Sequence, residues 1–317
     1  MKNHKNIVGK TGFLLLSGLF CIAFISCKKD RVPAKTVTGD YASPSSFYTQ
    51  YQQPEQVFQI DSLSSGPLFG KEGTQLFPDK NIFMYPNGSN FTYPYTIKLI
   101  EIYTGKDMIL SNMPSVATSN ILETGGEIRA RAFKGTQELV LRPGKKFHMQ
   151  LDSNKTLLTG MSVYYGFVSN SINDWTKNLS SLDPTISPDT LSSVVNTPYL
   201  YSMNIGRMGW VNCARLYTSS KPTSVLTFTA TGTNTQNIDV FIVFTSIHSV
   251  MKAYNMKSYP IPDGTPITVV AISRDLNQNS SLVYDKQTIT VNGNQQVALN
   301  LVTTTDANLL SILSAFQ

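Results

Sequence analysis

Apolar and polar positions along this chain fall into three regimes. One apolar run, Phe13–Ile25, stands near the start and is interrupted only by Ser17 and Gly18. Two long stretches, 46–168 and 199–317, carry short apolar segments that alternate with polar residues or run continuously for five to seven positions. Between these lie 28–45 and 169–198, rich in Lys, Asn, Ser, Asp and Pro and without any period. Alternation with period two places successive side chains on opposite faces and predicts strands. In the first stretch, Ile97 and Leu99 alternate with Thr96 and Lys98, then Ile100 and Ile102 take the opposite parity. That change leaves two readings, a bulge or a strand buried on both faces. Glu127–Phe133, Glu138–Arg142 and Phe147–Leu151 follow, joined at Lys134-Gly135 and Pro143-Gly144, which predicts a three-stranded meander with Arg129 and Arg131 on the wet face.

The second stretch reads differently. Ile238–Phe244 and Pro266–Ile272 are almost wholly apolar, as expected of strands buried on both faces. Thr288–Val291 and Val297–Leu301 flank Asn292-Gly293, the pattern of a hairpin. At the end, Asp306 is placed to cap a short helix with Leu309, Leu310, Leu313 and Phe316 on one face. The expected fold is therefore mainly β, with two β-sandwich-like domains and a short C-terminal helix. Its boundaries are 1–26 for a signal segment, 27–45 for a tether, 46–168 for the first domain, 169–198 for a linker pinned by Trp175, and 199–317 for the second domain. No repeat of 20–50 residues is present.

The N-terminal run changes the picture most. It is about 13 residues long, short of the roughly 20 that span a bilayer. Lys2, Lys5 and Lys10 precede it, and Ser26-Cys27 closes it before Lys28-Lys29-Asp30-Arg31. A basic start, a short apolar core and a small residue before a cysteine describe a lipoprotein export signal. Cys27 would become the lipidated N-terminus, and its acyl chains would hold the protein to a lipid bilayer. Val8-Gly9-Lys10-Thr11 resembles the end of a phosphate-binding loop, but His4 stands where the first glycine belongs.

Removing 1–26 takes away three lysines and no acid, so the formal charge falls from +6 to +3. That balance gives no footprint for nucleic acid. Cys213 is the one cysteine left after Cys21 is removed and Cys27 is lipidated, so no disulfide forms within the chain. Aromatic residues make up 10% and charged residues 15%, which fits a β-rich fold with a polar, weakly charged surface.

Candidate chemistry is sparse. His148 and His248 are far apart and neither has metal-ligand spacing to a Cys or His. No Gly-x-Ser-x-Gly elbow occurs, and Cys213 among Trp210, Val211, Ala214 and Leu216 reads as a packing thiol. Asp275-Leu276-Asn277-Gln278-Asn279 has the alternating oxygens of a calcium loop, yet Ser280 and Lys286 replace its glycine and its glutamate, and a polar turn explains it as well. Glu101, Asp107, Glu123 and Glu127 are available as acids, with nothing to single out a pair. No cofactor is expected. Aromatic residues cluster at Phe47-Tyr48-Tyr51 and from Tyr85 to Tyr95. In the second cluster Tyr85 and Tyr93 are candidate glycan contacts, with Asn87 and Asn90 beside them, unless the rings fill or edge a sheet.

Two strings carry a resemblance. The first is Gly73-Thr74-Gln75-Leu76-Phe77-Pro78 with Ile100-Glu101-Ile102-Tyr103, Asp107–Asn112 and Gly125-Gly126-Glu127. The second is Gly209–Tyr217 with Val240–Phe244. Together they resemble uncharacterised Bacteroidota lipoproteins with an N-terminal ZU5-like β-domain and a second β-sandwich domain. The resemblance implies an outer-membrane, lipid-anchored envelope protein and brings no active site with it. The basic residues after Cys27 leave both the cell surface and the periplasmic face open. Asp61-Ser62-Leu63 and Asp189-Thr190-Leu191 also resemble the O-glycosylation triplet of Bacteroidota envelope proteins, with Ser62 and Thr190 as acceptors. The expected function is a non-catalytic binding or structural module that meets an envelope protein or a glycan. The alternatives are a glycan-binding accessory lipoprotein and, from another class, a hydrolase whose site is assembled between domains, for which His248 beside an acid and a serine would speak.

Overall fold

The computed structural model describes residues 40–62, 66–152, 157–169, 172–178, 182, 193–196, 200–244 and 246–316. The signal segment 1–26, Cys27, the tether up to residue 39 and Thr190 lie outside the described residues. The fold is mainly β, built of antiparallel sheets with few helices and a short helix at the C-terminal end.

Two sheets enclose the first core. One has nine strands, and its main path runs Ile172–Thr176, Ser162–Ser169, Gly209–Leu216, Asn120–Lys134, Tyr95–Ile102, Gln56–Ile60. The other has five, in the order Ser193–Asn196, Leu200–Ile205, Phe147–Asp152, Gln75–Phe77, Leu68–Phe69. Ile97, Leu99, Ile128, Ala130, Val211 and Cys213 of the first sheet meet Phe147, Met149, Leu151, Tyr201, Met203 and Ile205 of the second. This is the period-two burial that makes a sandwich.

A second core lies behind a six-stranded sheet, Ser249–Lys252, Asp239–Phe244, Pro266–Asp275, Ser281–Thr290, Val302–Thr303, with Tyr41–Ala42 paired to Pro266–Asp275. Val240, Ile242, Phe244, Val269 and Ala271 pack there against Leu226, Phe228, Val297 and Leu299. The opposite parity, Phe241, Val243, Val270 and Ile272, enters a central core with Ile102, Tyr164 and Ala214 of the nine-stranded sheet. Both faces of Asp239–Phe244 and Pro266–Asp275 are thus covered, which is why their sequence is nearly continuous apolar. Three helices supply the rest of the central core: Ser45–Tyr51 with Phe47 and Tyr48, Gly105–Leu110 with Met108 to Leu110, and Asp306–Leu313 with Leu309 and Leu313.

The parity change at Ile100 is the both-faces case. Register with Asn120–Lys134 is unbroken from Thr96 to Ile102, and Ile102 enters the central core while Leu99 faces the first. The bulge sits elsewhere, between Cys213 and Ala214, where Gly125 is left without a partner residue between Thr124 and Gly126.

Several elements depart from the sequence-based expectation. Asn120–Lys134 and Gln137–Leu141 form the expected hairpin, but Phe147–Asp152 crosses to the five-stranded sheet instead of completing a meander. Crossing lets Phe147 and Met149 face Leu139 across the core rather than lie beside it. Gln295–Leu299 does not fold back on Ser281–Thr290; it pairs in parallel with Leu226–Ala230, and Asn292 N–H instead donates to Gln295 Oε1 at 3.1 Å. Residues around Phe47 are helical. Thr305, not Asp306, caps the last helix, its hydroxyl accepting from Asn308 N–H at 3.2 Å. Two strands of the stretch 199–317, Leu200–Ile205 and Gly209–Leu216, complete the sheets of the first sandwich, and the stretch 169–198 contributes edge strands to both. Trp175 does anchor that stretch: it is fully buried in the central core and donates through Nε1 to Pro114 O at 2.7 Å.

Candidate functional site

One end of the first sandwich carries a cleft. Asp79 Oδ1 accepts from Asn81 N–H at 2.8 Å and caps the short 3-10 turn Lys80–Ile82. The chain then enters Phe83–Met84, which pairs with the end of Gln137–Leu141. Arg142, just beyond that strand, donates its backbone N–H to Ile82 O at 2.8 Å, so it stands beside Lys80. The loop returns through a tight turn in which Tyr85 N–H donates to Ser89 O at 3.0 Å. Gly88, at φ +87°, and the Asn87 carboxamide, which accepts from Ser89 N–H at 3.0 Å, fix that turn. It then seats Phe91 edge-on to Tyr85 and Tyr95, with ring centroids 6.1 and 5.3 Å apart.

The result is a cleft of about 260 Å³ lined by Lys80, Asn81, Phe83, Asn90, Phe91 and Arg142. Phe83 and Phe91 are buried, so the reachable wall is polar. Lys80 Nζ lies 5.1 Å from the Tyr93 ring centroid and 5.8 Å from that of Phe91. Arg142 donates through Nη2 to Asn90 Oδ1. Among the described residues the ion pairs are Lys98–Glu55, Arg131–Glu138, Arg215–Glu123 and Lys252–Asp239. Neither Lys80 nor Arg142 belongs to one, so two cations and two amides converge on the cleft, and the charge of Asp79, which acts on the neighbouring Tyr93 and Tyr95, offsets them in part.

Of the residues expected to touch glycan, none of Tyr85, Asn87 and Tyr93 lines this cleft; Tyr93 lies beside its Lys80 and Tyr85 beside its Phe91. Tyr85 and Tyr93 are half-buried against the first core, and Asn87 is exposed at the turn tip with its oxygen engaged by Ser89. Asn90 and Phe91 of the same cluster line the wall. Lys80, Asn81 and Arg142 were missed by sequence reasoning, because Arg142 reaches the loop only through strand pairing. The other aromatic cluster serves packing: Phe47 and Tyr48 are buried on their helix. Ser62 is exposed just after Gln56–Ile60.

The remaining candidates have internal partners. His148 Nδ1 lies 3.1 Å from Met203 O and its ring packs on Phe77. His248 Nδ1 lies 3.1 Å from Thr124 O. Cys213 is fully buried in the first core, and desolvation pushes its thiol far above the usual range. Asp275 accepts from Asn277 N–H and Gln278 Nε2, both at 2.8 Å, which makes the calcium-like string a polar turn. Among the described residues no three His, Cys, Asp or Glu side chains are placed to hold a metal ion.

The acids sit on different faces. Glu101 points to the first core, where Thr74 N–H, Glu72 N–H and Gln56 Nε2 donate to it at 2.9, 3.1 and 2.7 Å. Asp107 accepts from the Thr104 hydroxyl at 2.6 Å in a helix cap, and Glu123 pairs with Arg215. Glu127 is wholly buried on the side of the central core. Its Oε1 accepts from Ser115 Oγ at 2.7 Å and Asn212 Nδ2 at 3.2 Å, while Oε2 has no partner among the described residues. Burial raises its carboxyl to about 8, against the lowering effect of the Ser115 bond. The cluster of Glu127, Ser115, Asn212 and Thr124 is closed to solvent, with each member at most 2% exposed.

No protein-family model, no curated protein and no solved structure matches this chain.

Proposed function

We propose that this chain is a lipoprotein of the bacterial outer membrane, anchored through acyl chains on Cys27, and that its sandwiches form a non-catalytic binding module for saccharide. The anchor reading rests on the basic start, the short apolar run and Ser26-Cys27. The observation that carries the binding reading is the cleft itself. Asn81 and Asn90 offer amide donors and acceptors for ring hydroxyls, Lys80 and Arg142 offer further donors, and outside this lining the Tyr93 ring lies beside Lys80 and the Tyr85 ring beside Phe91. A few convergent polar groups beside aromatic rings suit a sugar better than an apolar ligand. The four acids weighed for hydrolysis instead have structural partners, and the one with a strongly raised pKa lies where no substrate reaches it.

Affinity electrophoresis of the full chain through gels containing polysaccharides tests the binding. Retardation that Tyr93→Ala, Asn81→Ala or Asn90→Ala weakens is expected; migration unaffected by any polysaccharide would overturn the reading. Mass spectrometry of the N-terminal peptide tests acylation of Cys27, and peptides spanning Ser62 and Thr190 test for added sugar mass. Protease shaving of intact cells separates the cell surface from the periplasmic face.

A further inference from the structure

We infer that the sugar taken by the cleft is acidic, a ring carrying a carboxylate that Arg142 and Lys80 recognise together. The inference rests on the saccharide reading of the same cleft. Its basis is the excess of positive charge there, two cations against the single carboxylate of Asp79. Asp79, the acid nearest in sequence, turns Oδ1 onto the Asn81 N–H as a cap, and its charge acts on Tyr93 and Tyr95 and balances one of the two cations. Arg142 donates through one nitrogen to the neutral Asn90 side chain, and no other side-chain partner of Arg142 occurs among the described residues. Lys80 Nζ is held over the Tyr93 and Phe91 rings and has no acceptor among the described residues.

Elsewhere on the protein the partly buried cations Arg131, Arg215 and Lys252 each meet a carboxylate, whereas Arg129 lies over the Trp210 ring and Arg274 donates to the Ser280 carbonyl. What sets Lys80 and Arg142 apart is that both line one concave site and together outweigh the single charge of Asp79, which favours an anion there. The Asn90 contact braces the guanidinium and leaves donors of its fork for a planar, two-oxygen group, the geometry in which arginine binds carboxylates. Lys80 adds a point charge whose position the two rings restrict. Asn81 remains for hydroxyls on the same sugar.

Oligosaccharides of galacturonate, of mannuronate and guluronate, and of glucuronate with N-acetylglucosamine test this against the same oligomers with each carboxylate reduced to a primary alcohol. Calorimetry with the full chain is expected to show at least one acidic form binding roughly tenfold or more tighter than its reduced counterpart, with affinity falling as salt rises. Arg142→Gln and Lys80→Gln should each abolish that preference, bringing the acidic form down to the affinity of its reduced counterpart, while leaving the thermal midpoint in place. Arg142→Lys, which keeps the charge without the fork, should recover only part of it. Equal affinity for every acidic and reduced pair would overturn the acidic inference and leave the saccharide reading standing. Absence of binding to all of them, together with unretarded migration in every polysaccharide gel, would overturn both.

Discussion

Asn212 faces Glu127 across the antiparallel pair Gly209–Leu216 and Asn120–Lys134, and its side-chain amide donates to Glu127 Oε1 at 3.2 Å. The Asn212 carbonyl oxygen in turn accepts from the Thr124 hydroxyl at 2.6 Å, and that hydroxyl accepts from Gly126 N–H at 2.9 Å. A chain of polar groups thus runs along the bulged part of the nine-stranded sheet, under the central core. Because Oε1 accepts twice and Oε2 has no partner among the described residues, the neutral acid, protonated on Oε2, is the form that fits.

Stability should therefore depend on pH in a definite sense. The Glu127 carboxyl titrates near 4.5 when unfolded and near 8 when folded. Between those values the folded protein holds a proton that the unfolded chain has lost, so its stability falls as pH rises through that window. The slope from this group alone is about 1.4 kcal/mol per pH unit, levelling off on both sides. Urea unfolding at several pH values across the window should show the decline, and Glu127→Gln should remove most of it. A Glu127→Gln variant with an unchanged slope would mean that another group titrates.

Glu101 binds the turn at 70–74 to the sheet. Glu101→Ala leaves the N–H groups of Glu72 and Thr74 without their acceptor and should cost about 2–4 kcal/mol. Hydrogen exchange at those two amides should quicken more than at Ile97 or Leu99 on the same strand. Gly70→Ala attacks the same contact from the other side, since an added Cβ would lie 2.5 Å from the Glu101 carboxylate.

Trp175 and Trp210 are the two tryptophans of the chain. Trp175 is fully buried, so the native emission should be blue-shifted, persist in Trp210→Phe, and move to the red in Trp175→Phe. Trp175→Phe also removes the donor to Pro114 O and should cost about 1–3 kcal/mol in denaturant unfolding.

The C-terminal helix closes the central core through Leu309 and Leu313, both fully buried. Leu313→Ala should lower stability by about 2–5 kcal/mol. Leu310→Ala, on the half-buried flank of the same helix, should cost clearly less in the same melt.

The thiol of Cys213 should be inert in the folded protein, because it is buried and its ionisation is suppressed. A thiol reagent should label it only as fast as the protein unfolds. Rapid labelling of the native state, faster than exchange of the neighbouring amides, would contradict the buried position.

Much of this fold is legible along the chain. The alternation in Glu127–Phe133, the doubly apolar Ile238–Phe244 and Pro266–Ile272, and the apolar face of Leu309, Leu310 and Leu313 are local consequences of period and burial, and each appears as an element where its pattern lies, although Phe316, expected on that same face, follows the helix end. The parity change at Ile100 is also in the sequence, although it takes the central core to show that both faces are covered.

Partner choice is not local, and the tertiary structure decided it. Phe147–Asp152 carries the same alternation whether it extends a meander or crosses to the facing sheet. Gln295–Leu299 is equally apolar in a hairpin or beside Leu226–Ala230. The cleft is the same case: Lys80 and Arg142 meet because Phe83–Met84 pairs with Gln137–Leu141, and no spacing between them records it. Glu101 and Glu127 look alike as isolated acids, yet one faces backbone donors in the first core while the other is enclosed in the central one. The sequence alone determined which segments must bury a face, since transfer of apolar side chains from water depends on composition and period. Which faces meet, and which polar groups are brought together with or without a partner, depends on packing between segments far apart in the chain, and only the assembled sheets determine that.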